Sequence, residues 1–318
     1  MDLRQLRYFA AIAEAGSFTR AGEQLGVAQP ALSQHVRRLE EELGTRLVVR
    51  SARGISLTET GERLRVHAER LLREVEVIRD DLQRAEASPA GPVDIGIPTS
   101  LGMLLSVPVA LRVRRELPKV QLRVVEGLSG HTLEWLRAGS LDLALVFGAE
   151  TVPGLAMELI ATEELHLVGP AGDERLHHLA TPGDGPVPLP ALENLPLIMP
   201  GRPHGVREEL EAAARGRATP LNIVLEMDAL DPIRALVAEG AGYTVLSPRL
   251  ARHGPLGDRL ATRPISDPEI QRSIYLARVA DRPLSIAASH VRDRLRTELA
   301  GLTAGRRWRE PVVTPSAD

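Results

Sequence analysis

The sequence predicts an N-terminal all-α winged helix-turn-helix plus linker helix, followed by a C-terminal α/β domain of two subdomains. Three observations carry this reading. Residues 28–44, AQPALSQHVRRLEEELG, place Leu32, Val36, Leu39 and Leu43 on one helical stripe just after a short helix and a glycine turn. Residues 64–85 hold a heptad of apolar positions. Beyond residue 90 apolar runs and amphipathic segments alternate, as in βαβ units.

The first helix presents Leu3, Leu6, Phe9, Ala10, Ile12 and Ala13 as an apolar face, so Tyr8 and Phe9 read as core residues. Ser17 suits the N-cap of the next helix, and Gly26 permits a sharp turn out of it. In the following helix Pro30 fits the first turn, where its missing N–H costs nothing, and Gly44 fits a left-handed cap. Gln29, Ser33, Gln34, Arg37 and Arg38 project from its other faces, with side chains able to read base edges in a major groove. Leu47 to Arg50 and Ile55 to Leu57 are two short strands joined by Ser51-Ala52-Arg53-Gly54, a hairpin wing. Arg53 at its tip is placed for an adjacent minor groove; the competing reading is a solvated turn arginine.

Thr58 can cap the next helix, and Glu59 and Glu62 favour its positive end. Along that helix Leu64, Ala68, Leu71, Val75, Ile78, Leu82 and Ala85 alternate steps of four and three, the spacing of a coiled-coil seam. Ala87 to Pro92 interrupts the helix and marks a boundary. Strands are then expected at Val93–Ile97, Val120–Val125, Leu141–Val146, Leu165–Val168, Leu197–Met199, Ile223–Met227, Tyr243–Ser247 and Ser273–Ala277. Helices are expected at Leu101–Leu117, His131–Ala138, Gly205–Arg217, Asp231–Glu239 and Leu284–Leu299. Residues 175–190, with four prolines, read as a surface loop, and Arg306 to Asp318 as a loose tail.

Over its first sixty positions the chain resembles the LysR-type transcriptional regulators. The matching residues are Leu3, Leu6, Phe9, the Gly16-Ser17-Phe18 turn, Ala21, Leu25, Gln29-Pro30-Ala31-Leu32-Ser33, Leu39-Glu40, Leu43-Gly44, Leu47, Arg50 and Leu57-Thr58 with Gly61. Ala28 departs from the family's usual Ser or Thr, which removes a capping hydroxyl worth about 1 kcal/mol. Gly139 to Ala144 and Val237 to Gly242 resemble stretches of the family's effector-binding half, which is similar to periplasmic binding proteins.

The resemblance implies four regions: residues 1–58 as the winged DNA-binding domain, 59–87 as the linker and dimerisation helix, 88–300 as a two-lobed regulatory domain, and 301–318 as the tail. It also implies the partners. These are a double-stranded DNA operator, a small-molecule effector, RNA polymerase, and further copies of the chain as a homodimer and homotetramer. The DNA-contacting set is Ser17, Arg20, Gln29, Pro30, Ser33, Gln34, Arg37, Arg50 and Arg53, and dimerisation falls to Leu64, Ala68, Leu71, Val75, Ile78 and Leu82.

For the effector, Pro98-Thr99-Ser100 follows the first strand of the regulatory half, so two hydroxyls and free backbone N–H groups meet at the positive end of a helix. Simple N-capping is the competing reading. Ser129 holds the corresponding place after the second strand, and Arg202 and His204 can close from the other lobe; for each of the three an unliganded loop is the competing reading. The expected ligand is a small anion held by Thr99 and Ser100, with Arg202 neutralising it across the cleft.

Composition narrows the alternatives. The 318 residues carry a net charge of −3 and no cysteine, which excludes disulfides, thiolate metal sites and cysteine nucleophiles. Arg20, Arg37, Arg38, Arg46, Arg50 and Arg53 concentrate positive charge in the N-terminal segment, against Glu23 and the run Glu40 to Glu42. Asp2, Arg4, Arg7 and Glu14 break any signal-peptide core, so a cytoplasmic location without membrane contact is expected. An enzyme is the competing class. Yet Gly127-Leu128-Ser129-Gly130 has His131 where a nucleophile elbow needs Gly, and Gly240-Ala241-Gly242 lacks the third glycine of a dinucleotide loop. His177-His178 has no partners at zinc spacing. No catalytic residue, metal or cofactor is expected. A cytosolic solute receptor remains the other alternative, and it leaves the first 90 residues unexplained.

Overall fold

The computed structural model describes residues 1–51, 54–82, 89–148, 151–179, 185–303 and 308–309. Helices α1 (Leu3–Ala15), α2 (Phe18–Leu25) and α3 (Gln29–Leu43) pack around Phe9, Ile12, Leu32, Val36 and Leu39, all buried. The α2–α3 turn is tight because Gly22 lies beside it: a Cβ there would stand 2.6 Å from the Val27 carbonyl oxygen. Ser17 caps α2 by accepting a hydrogen bond from the Arg20 N–H, whereas Ala28 caps α3 without a side-chain hydrogen bond. Strands β1 (Val48–Ser51) and β2 (Gly54–Leu57) pair antiparallel as the wing. The Ile55 N–H donates to the Gly16 carbonyl at 3.1 Å, which ties the wing to the α1–α2 corner.

Thr58 Oγ1 accepts from the Gly61 N–H at 3.0 Å and donates to the Arg46 carbonyl at 2.7 Å, starting α4 (Glu59–Leu82). In the first half of α4, Leu64 packs on the winged core and Ala68 is fully buried. Farther along, Arg70 lies against Gly139 of the regulatory half, where a Cβ would meet the arginine stem at 2.9 Å.

The regulatory half runs β3 (Ala90–Pro98), α5 (Thr99–Glu116), β4 (Lys119–Gly127), α6 (Ser129–Arg137), β5 (Leu143–Phe147), β6 (Leu155–Glu164), β7 (His166–Pro170), α7 (Glu174–Leu179), β8 (Val187–Pro188) and β9 (Leu197–Met199). It continues as α8 (Gly205–Gly216), β10 (Ile223–Glu226), α9 (Leu230–Ala238), β11 (Thr244–Leu246), α10 (Pro248–Ala251), β12 (Leu260–Ser266), β13 (Gln271–Val279), α11 (Ile286–Thr303) and β14 (Trp308–Arg309). One sheet has the order β14-β6-β13-β5-β3-β4. The other has β11-β7-β12-β8, with the parallel pair β10-β9 joined to it by a bridge between Leu197 and Tyr243. Each sheet buries its own core: Ile95, Ile97, Leu101 and Leu143 in the first lobe, Leu167, Leu197, Val206 and Val245 in the second.

Only part of the first sheet is the parallel arrangement that the alternation predicts. Strands β4, β3 and β5 are parallel, but β13 runs antiparallel to both β5 and β6. The reason is that the chain crosses to the second lobe after β6 and returns in β13, so these two strands are neighbours pointing in opposite directions. Residues 175–190 are not simply a surface loop. They begin inside α7 and end in β8 and the 3₁₀ turn Leu189–Leu192, and Leu176, Val187 and Leu189 are buried in the second core. The tail is likewise partly ordered, because Trp308 and Arg309 pair with Glu163 and Thr162 at the edge of β6. Residues 301–303, placed in the tail by the sequence, continue α11, while 304–307, 310–318 and 180–184 lie outside the described residues.

Candidate functional site

On the winged half, the exposed surface of α3 carries Gln29, Pro30, Gln34, Arg37 and Arg38, with Ser33 half-buried and Arg20 exposed on α2. The Ser17 hydroxyl accepts from Arg20, which leaves its hydrogen to donate. Two members of the acidic run at the end of α3 are engaged: Glu40 accepts from the Leu47 and Val48 N–H groups, and Glu42 pairs with the N-terminal ammonium. The arginines of α3 therefore dominate the leading face. Arg53 and the side chain of Arg50 lie outside the described residues.

The heptad residues are not all available to a partner. Leu64 and Ala68 are consumed within the chain because α1 lies along the first half of α4. Leu71 and Ile78 remain 41% and 50% exposed, Val75 is half-buried, and the side chain of Leu82 is not among those described. Among the described side chains, Leu71 and Ile78 thus leave apolar surface exposed on α4 beyond the segment that α1 covers.

In the regulatory half the two lobes enclose a cavity of about 460 Å³ lined from both sides. Thr99 and Ser100 open α5, Ser129 opens α6, and His204 and Gly205 open α8, so three helix N-termini face the space. Pro98 is the N-cap of α5, so the Thr99 and Ser100 hydroxyls are not spent on capping. Ser129 Oγ accepts from the Phe147 N–H at 3.0 Å and keeps its own hydrogen to donate.

Arg202 does not reach the cavity. Its guanidinium, 66% exposed, turns outward to Glu211, which also draws in Arg207 from α8. His204 does line the cavity, but as a neutral ring: burial, reinforced by the nearby Arg272 charge and partly offset by Asp228, pushes its imidazole down to about 4.

The cation at the cavity is Arg272, on β13. It is 2% exposed, its guanidinium carbon lies 3.5 Å from the centre of the Phe147 ring, and its Nε donates to the buried carboxylate of Glu163 on β6. Its Nη1 and Nη2 have no hydrogen-bond partner among the described residues. A buried guanidinium with two unpaired donors is costly unless a ligand or water meets them. The strand expected from the sequence starts at Ser273 and omits this residue, whose signal in the sequence is only a charge abutting an apolar run. Three carboxylates also line the space, Glu134 from α6 and Glu208 and Glu209 from α8. None of these had been expected.

The family model for the bacterial regulatory helix-turn-helix protein, lysR family, matches residues 3–62, and that for the LysR substrate binding domain matches residues 86–300. The nitrogen assimilation regulatory protein nac of Klebsiella aerogenes is 33% identical over 296 residues, covering 92% of this chain and 93% of that protein. A full-length OxyR variant from Pseudomonas aeruginosa superposes with a TM-score of 0.72 at 25% identity, covering 94% of each chain. CbnR complexed with its target DNA shares the fold, with a TM-score of 0.66 at 21% identity over 94% of this chain and all of that one. With both halves matched, in the order that the winged domain, long helix and two-lobed cleft require, the chain belongs to the LysR family of transcriptional regulators.

Proposed function

We propose that this DNA-binding regulator responds to a small organic carboxylate held in the cleft cavity, with Arg272 as its principal cation. The observation that carries the reading is the buried guanidinium whose two Nη groups lack partners. A carboxylate accepts a bidentate pair from such a fork, and the open N-termini of α5 and α6 with the Thr99, Ser100 and Ser129 hydroxyls supply the remaining donors. Neutral His204 serves as a hydrogen-bonding wall.

On the DNA side, residues 1–58 act as the winged domain, with Gln29, Pro30, Ser33 and Gln34 at base edges and Ser17, Arg20, Arg37, Arg50 and Arg53 at phosphates or the minor groove. Residues 59–87 form the dimerisation helix, 88–300 the sensor, and 301–318 the tail. Dimers associate into tetramers on separated operator sites in the cytoplasm, and effector binding changes lobe closure, DNA bending and contact with RNA polymerase. The regulator has no catalytic step of its own.

Calorimetry of the full chain against small carboxylates and neutral metabolites tests the cleft. Carboxylates are expected to bind and to weaken about tenfold or more in Thr99→Val, which keeps the shape and removes one donor. A neutral apolar ligand that binds wild type and Thr99→Val equally would refute the reading.

A further inference from the structure

The cavity is chemically mixed. Its lining offers Arg272 and helix N-termini with their hydroxyls, and from α6 and α8 it also carries Glu134, Glu208 and Glu209. None of these three carboxylates has a cationic partner at salt-bridge distance among the described residues. Arg272 does not balance them: it is one cation, already paired with Glu163, against three carboxylates. A purely anionic ligand therefore gains the guanidinium fork and meets negative charge across the same small space.

Glu208 has a local reason to be there, since it sits exposed in the first turn of α8, where a carboxylate favours the helix dipole. Glu209 has no such reason. It is half-buried, and burial pushes its carboxyl above the usual range, opposed by Arg272 and reinforced by Glu208. A carboxylate kept partly desolvated beside a cavity, with no partner of its own, lacks a counter-charge that a ligand can bring.

We infer that the effector is a small amino-carboxylate. Its carboxylate sits on Nη1 and Nη2 of Arg272 near Thr99 and Ser100, and its ammonium group on the Glu209 side of the cavity with Glu134 and Glu208. This rests on the cavity being the effector site, and it adds the second charge that the first reading leaves open. The about 460 Å³ available suits a molecule of amino-acid size.

The test titrates the full-length protein at pH 7 with three matched sets: α-amino acids and straight-chain ω-amino acids of up to six carbons, the hydroxy acids that replace the amine by a hydroxyl, and the deamino acids. At least one amino-carboxylate is expected to bind about tenfold or more tightly than both of its counterparts. Glu209→Gln should shrink that ratio to about threefold or less while circular dichroism stays native; Glu134→Gln and Glu208→Gln are the companion variants. A hydroxy or deamino acid that binds as tightly as its amino counterpart overturns the zwitterion and leaves the carboxylate site standing. An unchanged ratio in all three glutamate variants also overturns it. If no carboxylate of any set binds, both readings fall.

Discussion

Replacing Arg272 by Met tests the centre of the cleft most directly. The substitution keeps a long apolar stem but removes the guanidinium, leaving Glu163, 1% exposed, as a buried carboxylate without its counter-charge. Breaking one side of such a pair costs about 3–5 kcal/mol, and losing the cation over the Phe147 ring adds about 1 kcal/mol. With a urea dependence of about 2 kcal/mol/M, the midpoint should fall by about 2–3 M. Trp135 on α6 belongs to the same lobe, so its fluorescence follows that unfolding. The double variant Arg272→Met with Glu163→Met removes both charges together and should recover most of the loss, since a well-packed apolar replacement of a buried pair is often neutral. A single variant that unfolds at the wild-type midpoint would refute the reasoning, as would a double variant no more stable than the single one.

Other expectations concern the ring of His204, the turn of the winged domain, base reading and pairing of copies. Because the folded His204 titrates near 4 and the unfolded chain near 6.5, the unfolded state takes up the proton first as pH falls. Stability from this residue is thus complete above pH 6.5 and is lost between about 6.5 and 4, on the order of 3 kcal/mol in all; His204→Gln should flatten urea midpoints across that window, and an unchanged slope would exclude it. Gly22→Ala should cost about 1–3 kcal/mol and weaken operator binding, since its Cβ meets the Val27 carbonyl, a backbone atom that cannot swing aside; a thermal melt of residues 1–82 at the wild-type temperature contradicts this. Gln34→Ala should relax preference at one base by about 1–3 kcal/mol on randomised operators, whereas an unchanged preference removes Gln34 from the reading set. Leu71→Asp buries a carboxylate in the dimer seam at several kcal/mol per copy, so sedimentation should show monomers at micromolar concentration; an intact dimer sinks the assignment.

The winged half was legible because its signals are local. Ser17, Gly26, Pro30 and Gly44 act on their own backbone, and Leu32, Val36 and Leu39 repeat at one period; all sit where those rules put them. Residues 155–164 escaped for the opposite reason. Strand β6 mixes Glu158, Thr162 and Glu163 with apolar residues, because its polar positions face ion partners elsewhere, Arg296 for Glu158 and Arg272 for Glu163. Strand β12 hides similarly behind Arg263 and Pro264. Arg202 was chosen by its place after a strand, but Glu211 lies nine positions on, along α8, and a nearby buried carboxylate outcompetes an open cleft. That Leu64 and Ala68 face α1 depends on how α4 leans, which the heptad does not encode.

The Arg272–Glu163 pair occupies an unusual mechanical position. Glu163 is the penultimate residue of β6, and Arg272 is the second residue of β13, the two strands through which the chain leaves and re-enters the first lobe. Beyond them the Leu165 N–H donates to the Ile270 carbonyl at 2.8 Å, so the two crossings run side by side. A molecule gripping Arg272 therefore holds the pivot rather than the jaws. A rotation of about 10° there would carry atoms about 20 Å away through several ångströms.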